Sequence, residues 1–124
     1  SFYAAWKHPE VYFGAACLSP ALVERYGKEC FRMVAADRDH LPDLRLFLSC
    51  GGAAGLEAEL LDGTLKMADA LRKANFPEKN LMVRIESWAE HNEEAWARMT
   101  PHWLRFLFAH PQRTEPDPGT QRKE

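Results

Sequence analysis

His91 is the residue best placed to do chemistry. It stands within Ser87-Trp88-Ala89-Glu90-His91-Asn92-Glu93-Glu94-Ala95-Trp96. The preceding run, Leu81 to Glu86, alternates so that Leu81, Val83 and Ile85 share one face, and the run that follows is amphipathic as far as Phe108. The stretch between them therefore joins a strand to a helix. A histidine at such a junction is held firmly by the scaffold yet stays open to solvent and substrate, which is the placement of a general base. Taken alone, a loop histidine is more often a solvated polar residue.

A second chemical feature follows the apolar run Leu44 to Cys50. Five small residues, Gly51-Gly52-Ala53-Ala54-Gly55, lead into Leu56-Glu57-Ala58-Glu59. The glycines lack the Gly-Lys-Ser/Thr of a nucleotide-binding loop and the spacing of a dinucleotide loop, so they read as a flexible turn. An acidic loop after one strand and a histidine after the next form the downstream two thirds of a nucleophile, acid and base constellation.

The elements that must position these groups run in a simple order. Ser1 to Trp6 reads as the second half of a helix already under way, and His8-Pro9 ends it. Val11 to Leu18 is a nearly continuous apolar run, as a parallel strand covered on both faces requires. Ser19-Pro20 reads as an N-cap followed by proline in the first turn, launching a helix to about Ala35. Asp37 to Asp43 is a polar connection carrying a surface His40, and Leu44 to Cys50 is the second strand. From Leu61 to Ala74, Leu61, Leu65, Ala68 and Leu71 recur at helical spacing, with Lys66, Asp69 and Arg72 outside. Asn75-Phe76-Pro77 ends that helix and feeds the third strand. Asn92 reads as the N-cap of the last helix, with Glu93 and Glu94 at its positive end. Trp96, Met99, Trp103 and Phe106 line one face of it, and Pro101 suggests a kink or restart. Residues 111–124, rich in proline and charge, read as a flexible tail.

Strands alternating with helices imply βαβ units: an α/β chain with about three parallel strands and flanking helices in three α/β/α layers. Ligands of such sheets bind at the carboxyl ends of the strands, here near Ser19, the 51–59 loop and His91.

Composition narrows the function. The 124 residues suffice for one domain with a core, residues 1–110, and are too few for two. Sixteen basic residues against eighteen acidic ones, with no basic block, give no footprint for nucleic acid. No apolar run nears the ~20 residues needed to cross a bilayer, so a soluble, cytoplasmic chain is expected. Because the start reads as mid-helix, any targeting segment would stand upstream. Cys17, Cys30 and Cys50 are odd in number and lack CxxC spacing, which speaks against a disulfide framework or a zinc site; they read as core fillers. A thiol hydrolase using Cys17 or Cys50 would need an exposed, electropositive site, and their surroundings in sequence are apolar.

Ser1 to Pro20, the Leu46 to Glu57 strand and glycine loop, Glu90-His91-Asn92 with Trp96, and the ending Leu104-Arg105-Phe106-Leu107 together resemble, in order and spacing, a known family. From Trp6 to Phe108 the chain is similar to the carboxyl-terminal half of the esterase branch of the α/β-hydrolases that includes enterochelin esterases and S-formylglutathione hydrolases. The resemblance implies a partial α/β-hydrolase fold and carboxylic-ester hydrolysis through a Ser-Glu/Asp-His triad, with no cofactor. It makes His91 the general base and Glu57 the acid, with Glu59 or Asp62 as substitutes; against that role, Glu57 reads as a solvated carboxylate near a helix start. The family's Gly-x-Ser-x-Gly elbow occurs nowhere in the chain, and Ser1 is not its serine. The expectation is a hydrolase fragment, inactive alone, whose partners are a small-molecule ester in the intact parent and the missing amino-terminal half. The alternative is a non-catalytic α/β module that dimerises through an exposed strand edge.

Overall fold

The computed structural model describes residues 1–109 and is built on a sheet of three parallel strands in the order β1-β2-β3. Helix α1 (Phe2–Lys7) precedes β1 (Gly14–Leu18), α2 (Glu24–Ala36) leads to β2 (Arg45–Cys50), and α3 (Leu56–Lys73) leads to β3 (Leu81–Ile85) through a short turn of 3-10 helix at Glu78–Asn80. Helix α4 (Glu93–Phe108) closes the described chain. Pairing is in parallel register throughout, with Cys17 beside Leu48 and Leu48 beside Val83. The mixed α/β architecture with flanking helices is thus the one expected from the alternation of strand and helix periods.

Strand β2 is the centre, paired on both edges and covered on both faces. Leu46, Phe47 and Leu48 are wholly excluded from solvent, each contributing about 1.5–3 kcal/mol of burial. Leu46 and Leu48 face a core shared with Ala15, Cys17, Phe2 and Trp6 of α1, Met33 and Val34 of α2, and Met67 and Leu71 of α3. Trp6 stacks between Phe2 and Phe76, and its indole N–H donates to Asp37 at the end of α2 at 2.8 Å. Phe47 points to the other face, where its ring lies 6.3 Å from that of Phe106 on α4. At the amino end of β2, the Arg45 guanidinium donates to the carbonyls of Phe106 and Ala109 at 2.7 and 2.8 Å, satisfying the last turn of α4.

Four local expectations are corrected. Strand β1 begins at Gly14 rather than Val11; Val11, Tyr12 and Phe13 are exposed ahead of it, Phe13 meeting the Phe108 ring edge-on at the end of α4. Helix α2 is capped by Val23, not Ser19, because the Ser19 hydroxyl is bonded elsewhere. Helix α3 begins at Leu56, five residues earlier than the spacing suggested, and its buried face runs through Leu60, Thr64, Met67, Ala68 and Leu71, leaving Leu65 exposed. Helix α4 continues through Pro101 without interruption, and it buries Ala95, Met99 and Leu107 while Trp96, Trp103 and Phe106 are only half-buried. Among the described residues no helix is long and apolar enough to cross a membrane. The tail expected over residues 111–124 lies outside the described residues.

Candidate functional site

The carboxyl ends of all three strands converge on one carboxylate. Glu57 sits in the first turn of α3, where the helix's positive end favours a negative charge. Its side chain turns inward rather than out to water, and the residue is only 2% exposed. His91 stands on the loop after β3, next to Asn92, whose side chain caps α4 by accepting from the Ala95 N–H at 2.9 Å. That cap fixes where the loop ends, and so fixes His91 relative to the helix. The imidazole Nδ1 lies 2.8 Å from Glu57 Oε1. The acid and the base anticipated from the sequence are therefore in direct contact, and the reading of Glu57 as a solvated carboxylate is overturned.

The other carboxylate oxygen is saturated. Glu57 Oε2 accepts from the Gly51 N–H at 2.6 Å and from the Ser19 hydroxyl at 2.6 Å, and the Cys50 thiol approaches it at 3.4 Å. Burial pushes the Glu57 carboxyl upward, but the bonds from Ser19, Gly51, His91 and Cys50 outweigh it and hold the group below the ordinary carboxylate range. It is ionised at neutral pH and has no proton to give. The Nδ1 position of a neutral His91 ring must then carry the proton, which leaves Nε2 with a free lone pair. About a third of the His91 side chain is open to solvent. The face of Trp96 or its edge meets the ring almost perpendicularly, with centroids 5.0 Å apart and planes at 89°.

The two alternative acids are engaged elsewhere. Glu59 lies 3.8 Å from Arg25 and Asp62 pairs with Lys66 at 2.9 Å, all at the surface. His40 is exposed on the connection before β2, as the sequence suggested. Behind the carboxylate the packing is tight: a cavity of about 10 Å³ lined by Ser19, Gly51, Glu57 and Trp96 is at the lower limit for one water. A hollow of about 590 Å³ lies between α2 and α3 and does not reach His91.

Neither cysteine proposed as an alternative nucleophile is suited to it. Burial pushes the Cys17 thiol up to about 11. Burial, with the Glu57 charge beside it, pushes Cys50 up to about 12. Both remain thiols at neutral pH, and Cys50 is a donor to the acid rather than an attacking group.

Sequence reasoning missed Ser19 and understated Trp96. In sequence Ser19 reads as a helix cap and Trp96 as one of the residues lining a face of α4, yet the Trp96 indole N–H donates to the Ser19 hydroxyl at 3.0 Å while that hydroxyl donates to Glu57. The one local hint is Ser-Pro directly after an apolar strand, which marks a sharp exit but not its hydrogen bonds. Ser19 is not placed as a nucleophile, since its proton is committed to Glu57 Oε2 and it makes no hydrogen bond with His91, which holds the other oxygen. Comparison with family models, with curated proteins and with solved structures found no match to this chain.

Proposed function

We propose that this chain supplies the acid and base of a serine-type carboxylic-ester hydrolase of the α/β-hydrolase kind. The observation that carries the reading is the buried, ionised Glu57 bonded to His91 Nδ1 with its second oxygen filled by other donors. That arrangement holds the imidazole in the tautomer a general base needs and stabilises the imidazolium once it forms. His91 Nε2 takes the proton of an attacking alcohol as its oxygen bonds to the ester carbonyl carbon. The proton then passes to the leaving alkoxide as the ester C–O bond breaks, and water repeats the sequence on the acyl-enzyme. The alcohol comes from polypeptide other than these 124 residues, in which no Gly-x-Ser-x-Gly occurs; the 124 residues alone do not hydrolyse esters. The substrate is a small-molecule ester and the site takes no cofactor.

The test is labelling of the whole product of the gene that carries these residues with a fluorophosphonate probe. Labelling at a serine, lost in His91→Ala and strongly reduced in Glu57→Gln, supports the reading. Labelling that is absent, or indifferent to His91→Ala, overturns it.

A second reading is favoured by the outer edge of β1, which among the described residues has no strand paired to it. The edge is built of Gly14, Ala15, Ala16 and Cys17, without the charge or proline that usually protects such edges. Hollows of about 430 and 350 Å³ flank it. On this reading the chain is an interaction module that pairs with a second copy through β1. Light scattering at micromolar concentration tests it: a dimer supports it and a clean monomer removes it.

A further inference from the structure

We propose that Ser19 and Trp96 are positioning residues that lock the Glu57 carboxylate against His91. The inference rests on the reading of Glu57 and His91 as acid and base, and it concerns how their geometry is kept.

Four side chains form a closed circuit across the strand tips. Ser19, directly after β1, donates to Glu57 Oε2 at 2.6 Å. Glu57, after β2, accepts from His91 through Oε1. His91, after β3, meets the Trp96 ring edge to face, and Trp96 in the first turn of α4 returns to Ser19 through its indole N–H at 3.0 Å. Each hydrogen bond constrains the next. A carboxylate rotates easily about its last torsion, which is broad and two-fold. Donors on both oxygens stop that rotation, and the Ser19 hydroxyl supplies one of them. The indole N–H occupies a lone pair of the same hydroxyl and so directs its proton toward the carboxylate rather than elsewhere.

The backbone at Ser19 points the same way. Its φ is +48°, a left-handed conformation that residues other than glycine, asparagine and aspartate seldom adopt. The Ser19 N–H, bonded to the Ser49 carbonyl at 2.7 Å, holds it there. Glycine would fit this conformation with less strain but would bring no hydroxyl, and aspartate would set a second negative charge against Glu57. A buried serine tolerating an unfavourable backbone, with its hydroxyl spent on the acid from one side and the indole from the other, is strain held at a functional contact.

Solvent exchange of the His91 Nδ1 proton, measured by NMR on the chain with ¹⁵N-labelled histidine, separates positioning from simple packing. Ser19→Gly relaxes the left-handed backbone and removes the small CH2–OH side chain that carries the donor. A roughly tenfold faster exchange in that variant, as expected for loss of one charge-assisted bond worth about 1.4 kcal/mol, with the rest of the spectrum unchanged, supports the proposal. Trp96→Phe keeps an aromatic ring and deletes the indole donor, and about threefold faster exchange is expected by the same reasoning for a neutral bond. If Ser19→Gly fails to fold, Trp96→Phe decides. Exchange equal to wild type in the deciding variant overturns the positioning role while leaving the acid and base in place. A wild-type His91 without a protected Nδ1 proton overturns both.

Discussion

Gly51 and Ala89 approach so closely that a Cβ on Gly51 would come within 2.2 Å of the Ala89 carbonyl oxygen. The same carbonyl accepts from the Gly52 and Ala53 N–H groups at 3.2 and 3.1 Å, so the loop that leads to Glu57 is stitched directly to the loop that carries His91. Neither loop can shift without the other.

Gly51→Ala therefore forces backbone apart and disturbs the bond from the Gly51 N–H to Glu57. A loss on the order of 3 kcal/mol in urea denaturation is expected, as for overpacking with no side chain free to give way. Gly55→Ala is the comparison. Its φ of +87° is unfavourable for alanine, but a Cβ there meets nothing within 4 Å, and roughly 1–2 kcal/mol is expected from backbone strain alone. Equal losses would show that the close approach of the loops is not what Gly51 serves.

The Glu57 carboxyl gives a pH dependence with a definite sign. Its folded value is lowered from 4.5 because the bonds from Ser19, Gly51, His91 and Cys50 outweigh the opposing effect of burial. Below 4.5 the unfolded chain thus binds a proton that the folded chain resists, and stability falls as pH drops through the folded value. The contribution is fully present above 4.5. Urea midpoints at pH 6 and pH 3 should show wild type losing more stability than Glu57→Gln between the two, and an equal loss would contradict the assignment.

Rotation of α3 away from the face suggested by its leucines is checked by two truncations. Met67 is completely buried, and Met67→Ala should cost about 2–5 kcal/mol. Leu65 is 48% exposed, and Leu65→Ala should stay within about 0.5 kcal/mol. Thermal melts of the two variants suffice.

Thiol reactivity sorts the three cysteines. Cys17 and Cys50, buried and raised to about 11 and about 12, should resist iodoacetamide at pH 7 in the folded chain, whereas the half-buried Cys30 is modified first. Mass spectrometry after brief labelling reads the site. Early modification of Cys50 would reopen the thiol reading.

Much of this arrangement was legible because it is written in short-range chemistry. The alternation of Leu81, Val83 and Ile85 gives β3, the apolar run before Cys50 gives β2, and Asn92 followed by two glutamates gives the start of α4. That an acidic loop and a histidine loop follow successive strands was legible from position, while the choice of Glu57 among Glu57, Glu59 and Asp62 came from the family resemblance. What escaped was set by distant partners. Nothing near Ser19 in sequence reveals that Glu57 and Trp96 lie within hydrogen-bonding distance of it, 38 and 77 residues away. The α3 face was misjudged because Thr64 is buried with its hydroxyl bonded back to the Leu60 carbonyl at 2.8 Å, so a polar residue occupies a core position that a leucine pattern passes over. Val11 to Phe13 are apolar yet exposed, since composition says nothing about whether a covering layer is present.

Arg45 has a bearing on motion as well as on folding. By gripping the Phe106 and Ala109 carbonyls it anchors the far end of α4 to β2, while Trp96 anchors the near end to Ser19. A rod fastened at both ends can neither slide nor pivot. Displacement of the 86–92 loop must then carry the 51–53 loop with it, because the Ala89 carbonyl ties the two together while α4 stays put.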